Sequence, residues 1–291
     1  MKRALILGAG LVAGPHVRYL LNVEGFSVTV ASRTVEKARR LIGNASNGKA
    51  LSLDVHDERA LEELIAAHDL SVSLLPYAFH PTVARLCVKH GTPMVTTSYV
   101  KDEMRALDEA AREAGVILLN EIGVDPGIDH MSAMRVIDRI RDEGGRLVSF
   151  VSNTGGLPAP EANDNPLGYK FSWAPRGVLL AGKNPARYLR DNKTVEVPGP
   201  ELFAHHAPCK IAGFGELEVY PNRDSLPYIE TYGISGVETM YRGTLRYPGW
   251  CDTLKAIVDL GFLNEAPRDD LAGLTYRQLT ARRIGSAGRD P

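Results

Sequence analysis

Cysteine is scarce in this sequence of 291 residues: Cys87, Cys209 and Cys251 are three in number, far apart, and in no CxxC or His/Cys cluster. That pattern argues against a disulfide framework and a structural zinc site, so the three are expected as free thiols in a reducing cytoplasm, and no metal centre is expected. Long apolar runs are also missing. The run Ala4 to Leu7 behind Met1-Lys2-Arg3 stops at Gly8, too short for the apolar region of a signal peptide, and no stretch approaches the roughly 20 apolar residues of a membrane span. An excess of one charge is absent too: 34 Lys and Arg stand against 35 Asp and Glu, a formal net charge of -1. Non-specific nucleic-acid binding needs a positive field that this balance does not supply. The partners expected are small molecules, without nucleic acid or membrane, and with a homodimer left open.

What the sequence does have is ordinary globular composition, 44% hydrophobic and 24% charged, in a chain long enough for two cores. The first 120 residues alternate short apolar runs with helical segments, the pattern of a parallel sheet built from βαβ units. Six strands are expected: Ala4 to Leu7, Ser27 to Ala31, Ala50 to Leu53, Ser71 to Leu75, Pro93 to Thr96 and Val116 to Leu119. Leu61, Leu64 and Ile65 sit at helical spacing after Asp57, a fitting N-cap, and Met104, Leu107 and Ala111 repeat the spacing. A further helix is expected over Ile128 to Arg141, ended by Gly144-Gly145, with Val136, Ile137 and Ile140 on its buried face. From Leu147 onward the texture turns to Gly, Pro and Tyr, with strand-like runs at Leu147 to Ser152, Val178 to Leu180 and Leu217 to Tyr220. The expected fold is α/β: a Rossmann-type doubly wound parallel sheet over residues 1–125, then an α+β substrate domain with a mainly antiparallel sheet over 126–291. The polar stretch Arg282 to Pro291 is expected to fray.

Gly8-x-Gly10-x-x-Ala13 follows the first expected strand and precedes a helix, with a second strand completing the unit. In that context the motif points to a dinucleotide. Gly8 allows the tight turn, Gly10 the approach of backbone to a pyrophosphate and Ala13 close helix packing, while the helix N-terminus, with Leu11 and Val12 before it, offers N–H groups to phosphate. NAD-selective chains usually end the second strand with a carboxylate that binds the ribose 2′-hydroxyl. Here Ser32-Arg33-Thr34 supplies a cation and hydroxyls instead, which suits the 2′-phosphate of NADP. Asp54 closes the third expected strand, either near an adenine or as a helix cap.

Longer blocks carry more information. Ser73-Leu-Leu-Pro-Tyr77, Thr96-Thr-Ser-Tyr-Val100, Asn120-Glu-Ile-Gly-Val-Asp-Pro-Gly-Ile-Asp-His130, Gly155-Gly-Leu-Pro-Ala-Pro160, Asp164-Asn-Pro-Leu-Gly-Tyr-Lys-Phe-Ser-Trp173, Tyr220-Pro-Asn-Arg-Asp-Ser225 and Arg242-Gly-Thr-Leu-Arg-Tyr247 resemble the saccharopine reductases, the glutamate-forming saccharopine dehydrogenases of lysine metabolism. The resemblance runs to about residue 265. It implies an NADP-dependent oxidoreductase in which saccharopine loses a hydride and water splits the resulting imine to L-glutamate and 2-aminoadipate 6-semialdehyde. It also implies cofactor contacts at Gly10, Leu11, Val12, Ser32, Arg33, Thr34, Asp54, Val55, Leu75, Thr97, Val124, Asp125, Pro126 and Trp173. Substrate contacts are implied at Ser98, Tyr99, Asp125, Arg223, Thr244, Leu245 and Arg246.

The residue types suit a substrate with three carboxylates and two amines: arginines and hydroxyls for carboxylates, Asp125 for an ammonium, Tyr99 to orient the reacting nitrogen. Tyr99 and Asp125 are the chosen catalytic pair, with Lys170 and His130 behind them; Asp129-His130 also reads as a helix cap. Thr154 stands where the family tends to have Cys, and members of the family are longer. Two other readings stay open: an imine reductase of the same superfamily acting on another amino acid or polyamine conjugate, and a non-catalytic NADP-binding sensor or truncated partner subunit.

Overall fold

A computed structural model describes residues 1–285 and shows two compact units, residues 1–133 and the chain from 134 onward. In the first, six parallel strands are laid in the order β3-β2-β1-β4-β5-β6. They are β1 (Lys2–Leu7), β2 (Phe26–Ser32), β3 (Gly48–Ser52), β4 (Leu70–Ser73), β5 (Met94–Thr96) and β6 (Leu118–Leu119). The helices are α1 (Ala13–Asn22), α2 (Val35–Ile42), α3 (Glu58–Ala66), α4 (His80–His90), α5 (Asp102–Arg105), α6 (Asp108–Glu113) and α7 (Ile128–Asp142), the last crossing the division between units.

Strand alternation explains why the sheet is covered twice. On β1, Ala4 and Ile6 join Val17, Leu20, Ala38 and Ile42 of α1 and α2 in one core. Leu5 and Leu7 face the other way, into Leu61, Ile65, Val83 and Leu86 of α3 and α4. β1 is therefore apolar at consecutive positions, as a strand buried on both faces must be. Its two neighbours, β2 and β4, run on to crossovers on opposite sides, so the strand order reverses at β1 and opens a crevice at its carboxyl end. The parallel register aligns Ala31, Leu7, Ser73 and Thr96 in one row at that end.

The Asp57 cap is present: its carboxyl accepts the Ala60 N–H at 3.0 Å. Three local expectations need correction. The helix expected through Met104, Leu107 and Ala111 is broken into α5 and α6, with Met104 and Ala111 buried in separate pieces. β3 stops at Ser52, so Asp54 lies beyond the strand, in a turn where its carboxyl accepts the His56 N–H at 3.0 Å. α7 buries Ile137 at 2% exposure but leaves Val136 at 46%, because a helix covers the core with one stripe and Val136 is a residue off it. Gly144 at φ 74 and the Gly145 N–H to Ile140 carbonyl bond end α7 as expected.

The second unit has a sheet of order β10-β11-β12-β8-β9, all antiparallel, with β7 added parallel to β12. Its strands are β7 (Ser149–Thr154), β8 (Ala186–Arg190), β9 (Lys193–Val197), β10 (Ala207–Ile211), β11 (Gly215–Pro221) and β12 (Thr239–Arg246). Four helices accompany them: α8 (Pro175–Leu180), α9 (Pro227–Thr231), α10 (Trp250–Asp259) and α11 (Tyr276–Arg283). The run Val178 to Leu180, expected as strand, is the end of α8; Pro175 at its first turn fixes a helical φ and starts a helix there. Tyr169, Tyr188, Phe203, Tyr220, Tyr241 and Trp250 make an aromatic core. Of the stretch expected to fray, Arg282 and Arg283 are in α11, which carries a capping box at Thr275 and Gln278; residues 286–291 lie outside the described residues.

Candidate active site

The phosphate loop sits at the crevice. Gly8 takes φ 108, and a Cβ there would come within 3.0 Å of the Leu74 carbonyl oxygen, so the loop is pressed against the chain leaving β4. That approach needs glycine twice, for the backbone angle and for the space. Gly10 differs: a Cβ on it would meet no protein atom within 4 Å, so the space over the loop is open. Leu11 and Val12 are exposed at 64% and 48%, and Ala13 is fully buried as the first residue of α1. α1 starts without a side-chain cap or an acidic residue in its first turn. The Ala13 N–H closes the turn onto the Gly10 carbonyl at 3.2 Å and Pro15 carries no N–H, so what α1 brings to the loop is the positive end of its dipole with no acidic side chain against it, which suits a pyrophosphate.

At the end of β2, Ser32 is half-buried while Arg33 and Thr34 are exposed ahead of α2. Across from them Asp54 is held below the usual carboxylate range by the His56 backbone N–H, then by the His56 ring at 2.8 Å, with Arg33 a weaker attraction. Val55 and Leu75 are half-buried nearby in sequence to the ends of β3 and β4. An open loop, an uncapped helix start and an exposed arginine where NAD-selective chains carry an acid all fit NADP.

Beyond β5 the chain runs through Thr97, exposed, to Ser98 and Tyr99, both half-buried. The Tyr99 hydroxyl donates to Asp125 Oδ1 at 2.7 Å, joining the two residues chosen as the catalytic pair. Asp125 precedes Pro126 through a cis peptide, with Val124 exposed at 61% and Pro126 buried. Glu121, left-handed at φ 59, ties this segment together: Oε1 accepts the Val100 N–H at 2.9 Å and Oε2 contacts His130 Nε2 at 2.8 Å. The capping alternative for Asp129-His130 is corrected by the start of α7 at Ile128, which puts both inside the first turn; Asp129 Oδ1 accepts the Gly127 N–H at 2.7 Å. His130 is thus engaged with Glu121, and Lys170 with Asp164 at 3.1 Å.

The remaining expected site residues belong to the second unit. Thr244 and Arg246 share one face of β12 by strand alternation, with Thr244 opposite Tyr220 of β11 and beside Thr154 of β7. Arg246 is 7% exposed, its guanidinium 5.0 Å from the Tyr169 ring centre, 5.2 Å from Trp250 and 6.0 Å from Tyr220. Nη1 donates to the Leu245 carbonyl at 2.7 Å, and Nε is buried without a hydrogen-bond partner. Leu245 faces the other side of the sheet by the same alternation and pairs with Val219 of β11. Trp173 donates its indole N–H to Tyr169 at 3.2 Å and so stands beside the same aromatic group. Arg223 is exposed in a left-handed turn, φ 53, its carbonyl accepting the Arg187 N–H at 2.9 Å.

A family model of the saccharopine dehydrogenase NADP binding domain matches residues 4–119, and one of the saccharopine dehydrogenase C-terminal domain matches residues 123–283. The chain belongs to the saccharopine dehydrogenase family. It is 47% identical over 288 residues to the NADP(+), L-glutamate-forming saccharopine dehydrogenase of Schizosaccharomyces pombe, covering 98% of this chain and 64% of that one. Mitochondrial alpha-aminoadipic semialdehyde synthase of Mus musculus is 41% identical over 296 residues, 100% of this chain and 32% of that protein. The solved apo saccharopine dehydrogenase (L-Glu forming) of Saccharomyces cerevisiae superposes with TM-score 0.86 at 42% identity, over 98% of this chain and 64% of that one. The chain therefore spans about 64% of the length of these fungal family members.

Within this saccharopine dehydrogenase fold, reading the sequence alone overlooked three residues. His80 bonds to Ser98 and Ser73, Glu121 braces Val100 and His130, and Glu218 accepts the N–H groups of Gly249 and Cys251 at the start of α10. The signal for His80 was available: Ser73, Thr96 and Ser98 are hydroxyls at the ends of adjacent strands. Among the described residues no group of three or more His, Cys, Asp or Glu side chains could hold a metal ion, and no helix is long and apolar enough to cross a membrane.

Proposed function

We propose that this chain carries the reaction named for its fungal relatives: NADP-dependent interconversion of saccharopine with L-glutamate and 2-aminoadipate 6-semialdehyde. The hydrogen bond between Tyr99 and Asp125, 2.7 Å, carries this reading, because it sets a phenol and a carboxylate together in the loops that follow β5 and β6. Gly8, Gly10, Leu11, Val12 and Ala13 hold the pyrophosphate through backbone N–H groups. Ser32, Arg33 and Thr34 hold the 2′-phosphate, with Asp54, Val55, Leu75, Thr97, Val124, Asp125, Pro126 and Trp173 completing the cofactor contacts. NADP, when bound, supplies the hydride acceptor for the C–H bond next to the secondary amine.

The protein's own groups handle protons and charge. Asp125 holds the substrate ammonium and keeps the Tyr99 hydroxyl oriented; Tyr99 takes the proton from the reacting nitrogen and passes it along the same hydrogen bond. Water then adds to the carbon of the C=N bond, the nitrogen gains a proton and the C–N bond breaks, leaving amine and aldehyde. Arg223 and Arg246, with Ser98, Thr244 and the Leu245 backbone, bind the carboxylates. The functional boundary in this reading lies between residues 125 and 126. The three unpaired cysteines support a reducing compartment, the cytoplasm.

The test follows NADPH absorbance with saccharopine plus NADP, and in reverse with glutamate plus the semialdehyde. Saccharopine-dependent NADPH formation is expected. Tight NADPH binding without turnover in either direction would overturn the enzymatic reading in favour of a cofactor-binding chain.

A further inference from the structure

Three hydroxyls, from the end of β4, the end of β5 and the loop beyond β5, meet around one imidazole at the start of α4. His80 is the first residue of α4 and 3% exposed. Its Nδ1 is 2.9 Å from the Ser73 hydroxyl at the end of β4. Its Nε2 is 2.8 Å from the Ser98 hydroxyl, past the end of β5, and 3.2 Å from Thr96 Oγ1. Thr96 also accepts the Ser98 N–H at 3.4 Å, so Ser98 is fixed both through its backbone and through its side chain. The parallel register sets Ser73 directly beside Thr96, which is why one ring reaches both strands.

Burial holds the His80 imidazole down to about 4, so at neutral pH the ring is uncharged, with one N–H and one lone pair. The positive end of α4 acts in the same direction. A neutral ring between hydroxyls decides which way each hydroxyl points. Ser98 has a single proton. If Nε2 accepts that proton, none is left for a substrate carboxylate; if Nε2–H donates to Ser98 Oγ, the Ser98 proton is turned outward, where partial exposure of the residue lets a ligand meet it.

We propose that His80 is a positioning residue of the substrate site: its Nε2–H donates to Ser98, its Nδ1 accepts from Ser73, and the Ser98 hydroxyl is thereby held as a donor to a substrate carboxylate. The proposal rests on the reading of Ser98 as a substrate contact. His80 itself touches neither substrate nor cofactor; it acts through Ser98.

Two measurements on the full chain test it. A long-range proton–nitrogen spectrum of the histidines at neutral pH, with His80 assigned by its loss in His80→Asn, should show a neutral ring protonated at Nε2; a ring protonated at Nδ1, or at both nitrogens, overturns the proposal. In steady-state kinetics His80→Asn keeps a group near Ser73 but none near Ser98. It should raise the KM for saccharopine about tenfold or more with kcat and the KM for NADP little changed. His80→Gln, whose amide reaches the Nε2 position, should recover most of that loss. An unchanged saccharopine KM in His80→Asn, equal losses for both substrates, or a Gln variant no better than Asn would each overturn the proposal. If the wild-type chain does not turn over saccharopine, the activity reading fails, and the spectrum of the wild-type ring still decides the part assigned to His80.

Discussion

At the strand ends of the first unit, His80 is buried as an uncharged ring among hydroxyls, while Arg33, the cation expected to meet the cofactor, stands in solvent. In the second unit Glu218, Arg242 and Arg246 are all buried, at 6%, 2% and 7% exposure. Arginine does not lose its proton in a protein, so the second unit surrounds its cations with aromatic faces instead: Arg242 lies 4.2 Å from the Tyr228 ring, and Arg246 among Tyr169, Tyr220 and Trp250. The difference teaches that the two units prepare for charge in different ways. The parallel sheet leaves backbone N–H groups and hydroxyls at an open crevice, ready for phosphates whose charge arrives with the ligand. The second sheet builds its cations into the core, where packing against aromatic rings fixes their orientation.

The largest effect expected from disturbing this contrast is at Glu218. Glu218→Ala leaves the Gly249 and Cys251 N–H groups at the start of α10 without their acceptor and should cost about 2–4 kcal/mol, read by urea denaturation. Glu218→Gln, which keeps an acceptor oxygen, should lose markedly less; equal losses would show that charge rather than capping matters. In the first unit, Asp125→Asn should lower kcat for saccharopine oxidation about 100-fold while NADPH affinity changes far less. A matching loss of NADPH affinity would move Asp125 from proton handling to cofactor binding.

Acid tests the uncharged ring. His80 has its folded value at about 4 against the ordinary 6.5, so between those values the unfolded chain binds more protons than the folded one. Stability should therefore fall as pH drops from about 6.5 toward 4, by on the order of 2 kcal/mol, and stop falling through this group below that. His16 is lowered by burial in the same direction, so the quantity to measure is the difference between wild type and His80→Asn in denaturation at several pH values. Equal slopes in the two proteins would contradict a neutral buried His80. The smallest change expected is Gly8→Ala, about 1–2 kcal/mol by thermal melting, from its left-handed φ and the 3.0 Å approach to the Leu74 carbonyl.

The parallel sheet was readable in advance because each strand is a short apolar run bounded by Gly, Asp or Pro, and because β1, buried on both faces, is apolar at consecutive positions. The second sheet was legible only as a class. Its strands are joined by Gly- and Pro-rich segments, and Val178 to Leu180 has the same composition in a helix as it would in a strand. Spacing placed Val136 with Ile137, but the stripe of α7 that is covered is narrower than the apolar stripe in the sequence. Tyr99 and Asp125 could be named as types; that they bond across 26 positions follows from loop conformation, which no local pattern encodes. His80 was legible only indirectly, through the hydroxyls at adjacent strand ends, since the strand register is what makes those partners neighbours.

The claim that the crevice end of β2 selects NADP is tested most directly by titrating NADPH and NADH, by fluorescence, into the wild-type chain and Arg33→Ala. The wild type should prefer NADPH, and the substitution should weaken NADPH about 10- to 100-fold while leaving NADH nearly unchanged. Equal weakening of both cofactors, or a wild-type preference for NADH, would contradict it.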